Sequence, residues 1–308
     1  MTRPFTALRR GALAGALLLA ACNQSAGPSG KLLVVTSFYP LYEFARDVAG
    51  PPAEVISLVP TGVEPHDWEP SPQDLTRIRD ARLFIYNGAG LEPWVAKLVQ
   101  DAAISGPLMV RASEGIPLLT VEASSNAGAR DRAAPDPHVW LDPVLAQSMV
   151  ETIRVALVTV DAAHAAAYTE NARALTAKLR ALHEAFETGL RRCARREVVT
   201  SHAAWAYLAK RYGLTVVPVM GAALESEPSP AQLASIVRFA REKHVKYIFF
   251  ETLASPKLAE TLAREVGAQT LVFNPVEGVT REEAAAGRGY VALMEANLSN
   301  LRIALECR

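Results

Sequence analysis

Four short segments carry the side chains of this sequence that are equipped for chemistry. His66 stands in Pro60-Thr61-Gly62-Val63-Glu64-Pro65-His66-Asp67-Trp68, and His138 in Pro135-Asp136-Pro137-His138-Val139-Trp140-Leu141-Asp142-Pro143. His202 follows Thr200-Ser201, and Glu277 lies in Asn274-Pro275-Val276-Glu277-Gly278. Each segment places a ligand-type side chain in or beside a loop rather than on a helix face. Three imidazole nitrogens and one carboxylate oxygen suit four-coordinate Zn²⁺. The fourth protein donor matters, because catalytic zinc ordinarily leaves that position to water, and a filled shell argues for holding the metal. Plainer readings exist for each residue alone. A single loop histidine is a surface residue, Asp142 before Pro143 is a helix N-cap followed by proline at the first helical position, and Glu277 before Gly278 is a turn residue. The joint occurrence of three proline- or strand-flanked histidines at corresponding places outweighs them. His164, His183 and His244 fall on helices or at a helix end among charged neighbours and are read as surface residues.

The elements that must position these residues are legible from periodicity. Short β-branched runs alternate with amphipathic helical patterns. The runs are Leu32 to Thr36, Glu54 to Val59, Leu83 to Tyr86, Leu108 to Arg111, Glu197 to Thr200, Thr215 to Val219, Tyr247 to Phe250 and Leu271 to Phe273. Strand, helix, strand implies parallel sheets with right-handed crossovers. Between the fourth and fifth runs no strand signal is read. There Tyr168, Ala172, Leu175, Leu179, Leu182, Phe186 and Leu190 recur at steps of mostly three and four, with charged residues opposite, which predicts one long helix. At ~28 residues it would be about 42 Å long, a rigid connector between two lobes. The expected fold is therefore α/β, two lobes each with a mainly four-stranded parallel sheet, joined by that helix. The expected divisions are a signal peptide over 1–21, a tether over 22–30, an N-terminal lobe over 31–162, the connector over 163–192 and a C-terminal lobe over 193–308. In open parallel sheets the carboxyl ends of strands line the ligand crevice, and three of the four segments begin at such an end. The four segments divide two to each lobe, so an interdomain His₃Glu site is expected.

The N-terminus and composition bound the setting. Arg3, Arg9 and Arg10 precede an apolar run from Gly11 to Ala21, about half the ~20 residues that a membrane span requires. This predicts a cleaved signal peptide. Leu19-Ala20-Ala21-Cys22 looks like a bacterial lipobox, whose cysteine is acylated, and Asn23 to Gly30 reads as a flexible tether. Ordinary secretion with a coincidental cysteine is the alternative. With Cys22 assigned to lipid, Cys193 and Cys307 remain, either bonded to each other in an oxidising compartment or as two separate buried thiols. Net charge is zero, with Lys and Arg scattered, so no nucleic-acid partner is expected. Residues Val121 to Pro135 read as an exposed, mobile loop.

Taken together, these motifs resemble the metal-binding solute-binding lipoproteins of zinc and manganese ABC importers. The likeness covers essentially Leu32 to Leu305, and also includes Val-Thr-Ser-His-Ala-Ala-Trp-Ala-Tyr-Leu around His202 and Phe-Phe-Glu-Thr-Leu-Ala-Ser-Pro-Lys from Phe249 to Lys257. It implies ligands at His66, His138, His202 and, in the Asn-Pro-x-Glu branch, Glu277. It further implies extracytoplasmic capture of Zn²⁺ by a monomer that delivers it to a permease and its ATPase. Glu64, Asp142 and Glu251 are reserve ligands or supports. Two departures are visible: Val121 to Pro135 holds no histidine, so no metal-collecting loop is expected, and His202 stands where manganese members carry a carboxylate. Imidazole there favours zinc over Mn²⁺. The remaining alternatives are a zinc hydrolase using Glu64 or Glu251 as base, and a surface adhesin or metal buffer without a transporter.

Overall fold

The structure is a computed structural model that describes residues 30–100, 106–121, 134–220 and 228–308. The expected signal peptide, Cys22 and most of the segment between Val121 and Pro135 lie outside the described residues.

The first lobe runs β1 (Leu32–Thr36), α1 (Tyr39–Ala49), β2 (Ala53–Ser57), α2 (Pro72–Asp80), β3 (Leu83–Tyr86), α3 (Val95–Gln100), β4 (Leu108–Arg111), β5 (Thr120–Val121), β6 (Ala134–Pro135) and α4 (Pro143–Val160). α5 (Ala165–Gly189) follows. The second lobe runs β7 (Glu197–Thr200), α6 (Ala206–Tyr212), β8 (Thr215–Pro218), α7 (Pro230–Glu242), β9 (Tyr247–Phe250), α8 (Lys257–Val266), β10 (Gln269–Val272), α9 (Arg281–Ala285) and α10 (Tyr290–Ala304). Strand order is β2-β1-β3-β4 in one sheet and β10-β9-β7-β8 in the other, all neighbours parallel. Both sheets are covered by helices on each face, which is why their strands read as near-continuous apolar runs.

Local chemistry explains the helix starts. Ser71 with Asp74, Ser229 with Gln232 and Thr280 with Glu283 form reciprocal capping boxes, and prolines open α1, α2, α4 and α7. α5 spans 25 residues, about 37 Å, and follows a 3₁₀ turn over Ala162–His164. Its buried stripe is Tyr168, Ala172, Leu175, Leu179, Leu182 and Phe186.

One pair of strands and several strand boundaries differ from the periodicity, the run read from Glu54 to Val59 pairing as Ala53–Ser57. A short antiparallel pair, β5 with β6, occupies the segment where no strand was expected; two-residue strands are too brief to show alternation. The strand read from Leu271 begins two residues earlier, at Gln269, because Gln269 and Thr270 pair with Tyr247 and Ile248 despite their polarity.

The main core is shared between the lobes. One apolar cluster joins Val34 and Leu83 of the first sheet, Leu175 and Phe186 of α5, and Trp205, Phe249 and Phe273 of the second lobe. Smaller clusters lie beneath α2 and α3 and beneath α7 and α8. Polar bridges reinforce the junction. The Glu43 carboxylate of α1 accepts the first N–H of α10 at Tyr290 (2.8 Å), and Tyr290 Oη donates to the Trp140 carbonyl. Arg211 of α6 donates to Asp142 (2.6 Å), and Tyr207 donates to the Asp136 carbonyl (2.8 Å). Cys193 and Cys307 are bonded, with 3.8 Å between their Cα atoms, tying the end of α5 to the C-terminus.

Candidate metal centre

Each of the four segments is delivered by a strand end or a helix start. His66 lies on the loop between β2 and α2, and His202 two residues beyond β7. Glu277 lies beyond β10, and His138 immediately precedes a 3₁₀ turn at Val139–Leu141 that leads into α4. Their ligand atoms all lie within 4.8 Å of one another. His66 Nε2 is 3.2 Å from His138 Nε2 and 3.4 Å from Glu277 Oε1. His138 Nε2 is 3.2 Å from Glu277 Oε1, and His202 Nε2 is 3.4 Å from His138 Nε2 and 3.5 Å from Glu277 Oε1. A tetrahedron whose centre lies 2.0–2.1 Å from each donor has edges of about 3.3–3.4 Å. Five of the six donor–donor edges therefore match a tetrahedral ion before any ion is considered, and the sixth, between His66 and His202, lies within 4.8 Å.

The rings are aimed by partners on their far nitrogens. His138 Nδ1 lies 2.7 Å from Asp136 Oδ1, and His202 Nδ1 lies 2.7 Å from Glu251 Oε1. Each carboxylate accepts from Nδ1–H and leaves the Nε2 lone pair facing the centre. His66 Nδ1 has no such partner among the described residues, and the His66 side chain is the most exposed of the four, at 9%. Glu251 follows β9, the strand paired with β7, so adjacent strand ends present the imidazole and its support.

Glu277 is pinned through its backbone. Asn274 N–H donates to Asn297 Oδ1 (2.8 Å), Asn297 Nδ2 donates back to the Asn274 carbonyl (2.6 Å), and Val276 N–H donates to Asn274 Oδ1 (2.8 Å). Trp140 Nε1 donates to the Pro275 carbonyl (2.8 Å) across the lobes. Val276 is held at φ 56°, a conformation costly for a β-branched residue and maintained by these bonds.

Electrostatics follow from burial and mutual contact. Burial opposes ionisation of Glu277, but the hydrogen bonds from His138, His202 and His66 outweigh it and hold the carboxyl well below its ordinary range. Burial likewise opposes charging of His202, yet the Glu251 carboxylate and then Glu277 raise it well above an ordinary imidazole. His138 is raised in the same way, by Asp136 and Glu277 against burial. Burial, then the neighbouring Glu277 charge, pushes Glu64 up to about 8.

The reserve residues separate into distinct places. Glu64 accepts the His66 backbone N–H (3.3 Å) and is not one of the four converging groups. Asp142 caps α4 through Val144 N–H and pairs with Arg211, so it is occupied as a cap and bridge. Glu251 supports His202. Asp136 was not singled out from sequence as a support; the signal was its position two residues before His138, within reach of the ring. His164 pairs with Asp161 and His183 with Tyr212, both away from the centre.

A family model described as zinc-uptake complex component A, periplasmic (ZnuA), matches residues 34–304. The chain belongs to the ZnuA family. Among relatives of this ZnuA-family chain, the high-affinity zinc uptake system protein ZnuA of Bacillus subtilis is 41% identical, with 94% of each chain covered. The zinc-binding lipoprotein AdcA of Streptococcus pneumoniae is 39% identical over 93% of this chain, which spans 58% of AdcA's length. The Zn(II)-bound crystal structure of the ZnuA-like domain of that AdcA superposes with a TM-score of 0.78 at 39% identity, covering 90% of this chain and 100% of the domain. The laminin-binding protein Lmb of Streptococcus agalactiae, described as bifunctional with adhesin and metal-transporting activity, gives a TM-score of 0.80 at 34% identity, covering 89% and 99%.

Proposed function

We propose that this protein captures one Zn²⁺ outside the cytoplasm through His66, His138, His202 and Glu277, and passes it to the permease of an ABC-type importer powered by its ATPase. The carrying observation is the set of five donor–donor distances between 3.2 and 3.5 Å. Family membership and the zinc-bound AdcA domain support the same reading. Three imidazoles and one carboxylate favour zinc over the oxygen-preferring Mn²⁺. Four protein donors complete a tetrahedron, which supports a carrier rather than an enzyme that must keep a position for reacting water.

The same reading includes a signal peptide over 1–21 and a tether over 22–30 acylated at Cys22, followed by the lobes over 31–162 and 193–308 with the connector over 163–192. The mature protein is then a lipid-anchored monomer at the extracellular face or in the periplasm. Metal analysis of the purified mature chain should give one zinc per chain and no turnover of ester or peptide substrates. Wild-type zinc affinity in both His66→Ala and His202→Ala would sink the ligand assignment.

A further inference from the structure

Beside the metal centre runs a cleft of about 570 Å³, the size of a small-molecule site. One wall is α1 and the outer edge of β2, and the other is the segment from Gly278 through Gly289; its inner end reaches Glu277. The charged residues lining it are Arg46, Arg288 and the almost wholly buried Glu277. Arg46 is held by Asp47 (2.9 Å) and lies 5.5 Å from the centre of the Tyr42 ring. The exposed Arg288 side chain has no acceptor among the described residues. Arg46 is matched by Asp47 and Glu43, so Arg288 is left as the unpaired charge on the cleft, and it attracts a carboxylate and opposes a bare divalent cation.

We propose that the cleft is a docking subsite for a zinc chelate whose chelator is a small polycarboxylate, with a chelator carboxylate on Arg288 and the phenol face of Tyr42 beside it. This rests on zinc capture at the His₃Glu centre. Pro60 and Thr61 on the rim begin the loop that carries His66, and Gly62 N–H donates to the Val279 carbonyl (2.9 Å) just beyond Glu277. A docked chelate thus sits against the joint between the two ligand loops. Delivery is ligand exchange: each zinc–carboxylate bond to the chelator that breaks is replaced by a bond from Glu277 or an imidazole, and the chelator leaves as its polyanion with no change in oxidation state.

The test measures zinc affinity of the full mature chain in chelator-free buffer, then the rate of zinc loading from citrate and from an uncharged polyamine chelator set to the same free zinc. At the same free zinc, the wild type should load about tenfold faster from citrate than from the polyamine, tenfold being what one guanidinium–carboxylate contact supplies. Arg288→Ala and Arg288→Glu should load from citrate no faster than from the polyamine while keeping wild-type affinity in chelator-free buffer. All three proteins should load from the polyamine at the same rate. Equal wild-type loading rates from citrate and from the polyamine overturn the subsite, as does an equal citrate advantage in the Arg288 variants. Absence of zinc binding in chelator-free buffer would instead remove the capture function, and the subsite with it.

Discussion

At the scale of single residues, the centre divides into donors and the groups that aim them. Replacing His202 or Glu277 by Ala removes a donor and should abolish tight zinc binding. Asp136→Asn and Glu251→Gln keep shape while weakening the grip on Nδ1, and should cost 10- to 100-fold in affinity, measured by competition with a chromophoric chelator. His138 and His202 also carry raised pKa values in the metal-free protein, so each holds its proton to higher pH than a free imidazole. Zinc must displace those protons, and affinity should fall as pH drops through the raised values. For the metal-free fold the sign is opposite. The stabilisation from these charged imidazoles is complete below the ordinary value of about 6.5 and is lost as pH rises through the folded-state values. Calorimetry in buffers of different ionisation enthalpy should register proton release on zinc binding near neutral pH; none would contradict this picture. The four converging residues were legible because two proline-flanked histidines, a histidine just past a strand and a carboxylate in an Asn-Pro-Val-Glu-Gly loop break the helical and strand periodicity. Asp136 was not, since an aspartate between two prolines also serves as an ordinary turn residue.

At the scale of elements, the Glu277 loop depends on α10 and on Trp140. Asn297→Ala removes both bonds to Asn274 and leaves its buried backbone N–H and carbonyl unpaired, a loss of about 1–3 kcal/mol per group. Chemical denaturation should show that loss, and zinc affinity should fall although no donor has changed. The Cys193–Cys307 bond acts elsewhere. It closes a separation of 114 residues, for which the chain-entropy model gives roughly 4–5 kcal/mol as an upper figure. Reduction should lower the denaturation midpoint while leaving zinc stoichiometry at one, and an unchanged midpoint would remove its structural role. Eight sheet strands and α5 were legible because buried parallel strands and an amphipathic stripe each leave a period. The β5–β6 pair was not, since its two-residue strands leave none, and Gln269 was pulled into a strand by its neighbour rather than by its own propensity.

At the scale of the molecule, what sequence could not reveal is that both lobes share one core. The apolar stripe on α5 announces burial against both lobes but not one continuous cluster, in which α1, α4 and α10 all take part. With Glu43, Trp140, Tyr207 and Arg211 bridging the lobes, zinc should produce little compaction. Small-angle scattering should give nearly equal radii of gyration with and without metal, and hydrogen exchange should slow at the loops carrying His66, His138 and Glu277. A clear contraction with altered exchange in α5 would refute the rigid junction. The contact between Glu43 and Tyr290 joins residues 247 positions apart. The first lobe therefore receives its last wall from the last helix, and a chain emerging from its N-terminus has no finished half to rest on. Cut before Tyr290, it would leave apolar faces of α1 and α5 bare, a species inclined to aggregate rather than a smaller working protein.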